Sequence, residues 1–155
     1  QDIHFSEEHV LAGKKFCNKL WNASRFVLLQ QATNNKQQLV KPKTAADKKI
    51  LAGLKKTTAE VGNLIEKYEF GPALHNLYEF FWHQFSDIYI ETAKRQPAPQ
   101  ILFYVLLTSL KLLHPFVPFI TEEIWQVFKK NYLPMGDLPK GDKLKTNLII
   151  ESWPR

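Results

Sequence analysis

One cysteine, Cys17, and one methionine stand in 155 residues. A lone cysteine excludes an internal disulfide and a cysteine-built metal cluster, and it suits a reducing compartment. Glycine is scarce, with six residues and no clustering, so no glycine-rich phosphate loop can be read. Neither a nucleophile elbow nor a Cys-His grouping is present. The histidines His4, His9, His75, His83 and His114 do not fall at metal-ligand spacing, and the Glu-x-x-His pairs of a di-iron bundle are missing. Long apolar runs are absent too: residues 101–110 form the most apolar one, too short for a bilayer and followed by Lys111. The opening QDIHFSEEHV lacks the basic-then-apolar layout of a signal peptide. These absences lead us to expect a soluble, cytoplasmic protein with no catalytic site, metal or cofactor of its own.

What is present is apolar bulk and positive charge. Apolar residues make up 45% and aromatic ones 13%, which marks a globular chain large enough to bury a core unaided. The net charge of +6 and a pI near 9.4 favour a polyanionic partner. The spacing predicts a single all-α domain over 1–155, a bundle of about five helices over 1–132 with an irregular or β-like tail over 133–155. The chain starts without methionine and falls almost at once into a helical pattern, so a piece of a longer chain is expected.

Ser6 with Glu7 and Glu8 predicts an N-cap and acidic first turn, opening a helix that runs to about Gln31. Residues 33–43 are polar and aperiodic, a loop. A second helix from Ala45 or Asp47 to about Tyr68 carries the stripe Ile50, Leu51, Leu54, Val61, Leu64, Ile65 and Tyr68. Lys48, Lys49, Lys55 and Lys56, with Lys36, Lys41 and Lys43, make this the most basic region, although each lysine taken singly reads as a solvated side chain. Gly71-Pro72 starts a third helix with a core stripe of Leu74, Leu77, Tyr78, Phe81, Phe85 and Ile88. Asp87 and Glu91 on it are best read as partners for cations rather than an acid-base pair. A fourth helix spans Pro99 to His114, and Thr121 with Glu122 and Glu123 is expected to cap a fifth that ends near Lys130. Residues 148–150 read as a short extended segment.

The most informative stretch is KFCNKLWNASRFVL, residues 15–28. On a wheel, Phe16, Cys17, Leu20, Trp21, Ala23, Ser24, Val27 and Leu28 share a core arc. The other arc holds Lys15, Asn18, Lys19, Asn22, Arg25 and Phe26, a ring among cations and amides on the side expected to be wet. Such a set can stack an unpaired base, hold its phosphate and bond its edge. The plainer alternative is that Phe26 packs under a loop and the cations form a solvated face.

KFCNKLWNASRFVL, then FFWHQFSDIYIE and HPFVPFITEEIW, follow the order and spacing of the C-terminal helical bundle of class I aminoacyl-tRNA synthetases. The chain resembles the anticodon-binding domain of the valine-specific members, through NKLWNASRF above all. ADKKILAGL from Ala46 and the closing LIIESWP add to the likeness. The resemblance implies a domain that docks the anticodon stem-loop of tRNA(Val), attached to a parent whose separate catalytic domain uses ATP to aminoacylate the tRNA. The HIGH and KMSKS signatures of that catalytic fold are missing here, so this chain alone is expected to be inactive, and a monomer is expected. Carried over by motif, Lys19, Arg25 and Phe26 meet the anticodon loop; Asn22, Asn18 and Lys15 share their arc. For Lys19 and Arg25 a salt bridge to Asp87 or Glu91 is the competing role.

The family commonly has tryptophan where Lys49 and Ile88 stand, a departure expected to alter packing. Other functions compatible with the residues are a helical protein-interaction module, the equivalent domain of an isoleucine or leucine synthetase, and a self-contained helical enzyme.

Overall fold

Helix α1 (Glu7–Ala32) starts with amides of His9 and Val10 bonded to the Ser6 carbonyl, behind the acidic turn of Glu7 and Glu8. The computed structural model describes residues 6–32, 41–132, 148 and 153–154. Within them follow α2 (Ala45–Glu66), α3 (residues 70–95), α4 (Pro99–Leu113) and α5 (Pro118–Tyr132), five helical rods without a strand among the described residues. None is long and apolar enough to cross a membrane. The loop expected at 33–43 lies outside the described residues except for 41–43, which are non-helical, and of the tail only Leu148, Trp153 and Pro154 are described. Leu148 is buried in a 3₁₀ turn, not extended, and its amide donates to Glu122 Oε2 at 2.9 Å.

Helix α3 is α-helical over Phe70–Glu79, π-helical over Phe80–Ile90 and α-helical again over Glu91–Arg95. The i→i+5 register of the middle stretch overturns part of the expected stripe, because the wider turn advances each side chain less than the 3.6-residue period assumes. Phe80, Phe81, Phe85, Ser86, Tyr89 and Ile90 are buried, while Ile88 is 55% exposed. Leu74 is also exposed rather than core. Since Lys49 and Ile88 both face solvent, the family departures there leave the core untouched.

The rods order themselves through side chains of matching depth. Phe16 packs on Tyr78, Phe81 and Trp82, Lys19 reaches Asp87, and Lys94 lies over Phe26, so α1 runs parallel to α3. Helix α2 runs the other way, with Asp47 bonded to Tyr89 and Gly53 against Gln84 and Phe80. A Cβ on Gly53 would stand 2.8 Å from Gln84 Oε1 and 3.4 Å from the Phe80 ring, so this glycine sets how closely the two helices approach. Helix α4 supplies Leu102, Leu106, Leu110, Leu112 and Leu113 to the centre, and Phe103 meets Phe128 of the antiparallel α5.

Thr121 does not cap α5. It lies inside the helix, fully buried, with its hydroxyl bonded to the Val117 carbonyl and to His114 Nδ1; Pro118 opens the helix instead, its missing N–H costing nothing there.

Topology gives the bundle two unlike ends. Where α2 and α4 begin and α1 and α3 finish stand Arg25, Lys41, Lys43, Lys48, Lys49 and Arg95. The opposite end carries Glu7, Glu8, Glu66 and Glu69, with the exposed apolar side chains Val10, Leu11, Phe70 and Phe119.

Helix α2 stops earlier than its stripe predicts, because Tyr68 takes φ 59°. Its amide bonds Ile65 and that of Glu69 bonds Leu64, the paired closure in which glycine is usual, and the Tyr68 side chain is 81% exposed. A side chain in left-handed backbone costs about 1–2 kcal/mol. Tyr68→Gly is therefore expected to raise unfolding stability by roughly 0.5–1 kcal/mol after the glycine's own entropy is counted, read as a higher urea midpoint at unchanged m-value.

Candidate nucleic-acid interface

Helix α1 buries Phe16, Leu20, Ala23, Ser24, Val27 and Leu28, and half-buries Cys17 and Trp21, as its core arc requires. The Ser24 hydroxyl is satisfied by the Leu20 carbonyl at 2.8 Å. On the other arc Lys15, Asn18, Asn22 and Arg25 are exposed, with no hydrogen bond or ion pair to other described residues. At 1.5 Å of rise per residue these four cover roughly 15 Å of helix edge.

Lys19 and Phe26 belong to the border of this arc, not its middle. Helix α3 runs alongside that border and covers it. Lys19 forms a close ion pair with Asp87, and its ammonium lies 4.5 Å from the centroid of the Trp82 ring. Phe26, expected on the wet side, is half-buried against the core, with Lys94 Nζ 5.9 Å from its ring centroid. The salt-bridge role weighed for both cations is thus taken by Lys19 with Asp87, whereas Arg25 stays free among the described residues.

The α3 carboxylates work as charge partners. Asp87 also lies 3.3 Å from His83 Nδ1, and Glu91 holds Lys94 at 2.6 Å. In the basic region Lys48, Lys49, Lys55 and Lys56 are exposed, with Lys56 3.7 Å from Glu60; Lys36 lies outside the described residues.

The residue that sequence reasoning missed is Asp47. Thr44-Ala45-Ala46-Asp47 has the spacing of a capping box, and that signal could have found it. The Thr44 hydroxyl accepts from the Asp47 amide at 3.0 Å, while Asp47 Oδ2 accepts from the amides of Thr44 and Lys43 at 2.8 and 2.9 Å. Its other oxygen accepts from Tyr89 Oη at 2.7 Å. Burial pushes the Asp47 carboxyl up, but the bonds from Tyr89 and from the Thr44 and Lys43 amides outweigh it and hold the group below the usual carboxylate range. The Tyr89 phenol is driven well above its ordinary value by burial first, then by its bond to Asp47 and that carboxylate's charge. This single carboxylate therefore fixes both the chain entering α2 and the π stretch of α3.

The family described as the anticodon-binding domain of tRNA ligase matches residues 47–155, starting at Asp47 itself. The chain belongs to that family. Helix α1 precedes the matched span, and its likeness comes from individual relatives of this anticodon-binding domain. Over 160 residues, 99% of this chain, it is 41% identical to the valine–tRNA ligase of Pseudothermotoga lettingae and covers 17% of that protein. It is 46% identical over 138 residues to the valine–tRNA ligase of Geobacillus stearothermophilus and 44% identical to that of Bacillus subtilis, covering 81% of this chain and 16% of each relative. The chain thus spans about one sixth of the length of these curated relatives.

Tyr89→Phe in this domain removes one donor from a buried carboxylate and is expected to cost ~1–3 kcal/mol at neutral pH. A depressed folded-state pKa contributes stability above the unfolded carboxyl value, lost as pH falls through the folded value. The stability difference between the variant and the unaltered sequence should accordingly be full at neutral pH and shrink as pH falls below about 4, read from urea midpoints followed by circular dichroism at a series of pH values.

Proposed function

We propose that this chain docks the anticodon stem-loop of tRNA(Val) for a valine–tRNA ligase, whose ATP-dependent aminoacylation is carried out by a separate catalytic domain of the parent. The observation that carries the proposal is the unpartnered edge of α1: Lys15, Asn18, Asn22 and Arg25 in line, with the Phe26 ring at the border. Arg25 offers a planar fork to a base edge or phosphate, and the two asparagines can each serve donor and acceptor edges. The part of the Phe26 ring that stays exposed beside Lys94 is offered for stacking while its buried side fixes the ring, which lowers the entropy lost on binding. Lys19, already paired to Asp87, acts by positioning this edge. The identity of the relatives supports valine as the parent's amino acid.

A second surface is favoured by the opposite end of the bundle. There Val10, Leu11, Phe70 and Phe119 are exposed, Phe119 at 91%, a poor surface for water and a suitable one for protein. Its partner in this proposal is the catalytic portion of the parent chain, which leaves the basic end free for tRNA.

Arg25→Ala is expected to weaken tRNA(Val) binding by ~1–3 kcal/mol with an unchanged circular dichroism spectrum. Phe26→Leu, which keeps the packing but loses the ring, should weaken it by about 1 kcal/mol or more. Equal binding of both variants and the unaltered chain at moderate salt defeats the proposal. Competition between tRNAs that differ only in the anticodon decides between valine and a sister specificity.

A further inference from the structure

The basic end holds a cleft of about 570 Å³ that no part of the α1 edge fills. It opens between the start of α2 and the α3–α4 turn, and Lys43, Asp47, Gln96, Ala98, Gln100 and Ile101 are among the residues that line it, with Lys41 and Pro97 beside them. That volume lies within the usual range for small-ligand pockets.

We infer that this cleft takes one unpaired nucleotide of the bound RNA, its base over the Pro97–Ala98–Ile101 floor and its phosphate at Lys41 and Lys43. The inference rests on the anticodon-loop docking proposed above and adds a second contact to it. Four observations carry it. The floor is apolar, with Ile101 buried, as a base face requires. The amides of Gln96 and Gln100 stand beside that floor without side-chain partners among the described residues, and a glutamine amide can donate to and accept from one base edge. Neither the Lys41 nor the Lys43 ammonium meets a carboxylate among the described residues. Asp47 is the one acid in the lining, and its oxygens already accept from the Lys43 and Thr44 amides and from Tyr89. Its negative charge in the wall sets the polarity of the occupant, since phosphate is repelled from the interior toward the lysines while a neutral base is not.

The cleft also lies at the end of the bundle toward which the α1 edge runs. Lys94 lies over Phe26, and Gln96, two residues on, already lines the cleft. Successive Cα atoms are about 3.8 Å apart, so the Lys94 and Gln96 backbones are within roughly 8 Å of each other, and the cleft opens at the same end of α3 as the lysine that overhangs Phe26. A loop stacked on Phe26 therefore has the cleft at the same end of the bundle, open to another of its nucleotides.

The test measures dissociation constants of the full-length protein for the anticodon stem-loop of tRNA(Val), intact or with an abasic ribose at one loop position at a time. At one position the abasic RNA should bind the unaltered protein about tenfold more weakly. Ala98→Phe, which fills the cleft, and the double variant Gln96→Ala/Gln100→Ala should bind the intact RNA about tenfold more weakly and no longer distinguish it from that abasic RNA. Arg25→Ala should bind more weakly yet keep the distinction. If both cleft variants bind the intact RNA as tightly as the unaltered protein while Arg25→Ala is weakened, the cleft inference falls and the anticodon-loop proposal stands. If Arg25→Ala is unweakened as well, both fall.

Discussion

The π register of α3 is the constraint from which the rest of the arrangement follows. Eleven residues, Phe80–Ile90, advance less per step than an α-helix would, and the difference turns Asp87 toward α1 while Tyr89 faces α2. One side of the rod thus grips Lys19, and the other reaches the carboxylate that caps the next helix. An unbroken α-helix with the same sequence would place Ile88 in the core and rotate Tyr89 away from Asp47. The buried ring series Phe81, Phe85 and Tyr89, with successive centroids 5.5 and 6.4 Å apart, fills the width of the looser turn.

Charge is distributed by the same topology. Parallel α1 and α3 finish where antiparallel α2 and α4 begin, so Lys48 and Lys49 at the start of α2 and Arg95 at the end of α3 collect at one end with Lys41 and Lys43. Glu7, Glu8, Glu66 and Glu69 and several exposed apolar side chains are left at the other. For a domain that meets a polyanion this separation is useful, because the field falls off within about a Debye length and like charges act together only when close. The Lys19–Asp87 pair withdraws one cation from that field and in return ties α1 to α3. At a partly exposed site such a pair contributes little to stability, and its value lies in orientation.

Much of the fold was legible because the apolar pattern in α1, α2 and α4 keeps a strict 3.6-residue period over long stretches. Every residue of the α1 core arc is buried or half-buried. Three of the misses share a cause. Ile88, Tyr68 and Thr121 each stand where the backbone or a proline departs from the ordinary helix: a π turn, a left-handed residue and a helix that starts three residues earlier. Periodicity carries no information on these. In the site, the polar edge was readable from spacing alone, but the burial of Phe26 was not, since it depends on which neighbouring rod covers the border of the arc.

The sequence by itself determined an all-helical chain, its excess of positive charge and the segregation of Lys15, Asn18, Asn22 and Arg25 from the apolar face of α1, because each of these is a property of local order along one strand of chain. Only the tertiary structure decided that Lys19 is paired, that Phe26 is wedged beneath Lys94, that Asp47 joins two helices and that a cleft opens beside the α3–α4 turn. Those outcomes depend on contacts between residues as far apart as Lys19 and Asp87, which no local pattern encodes; the relative rotation of packed rods sets them.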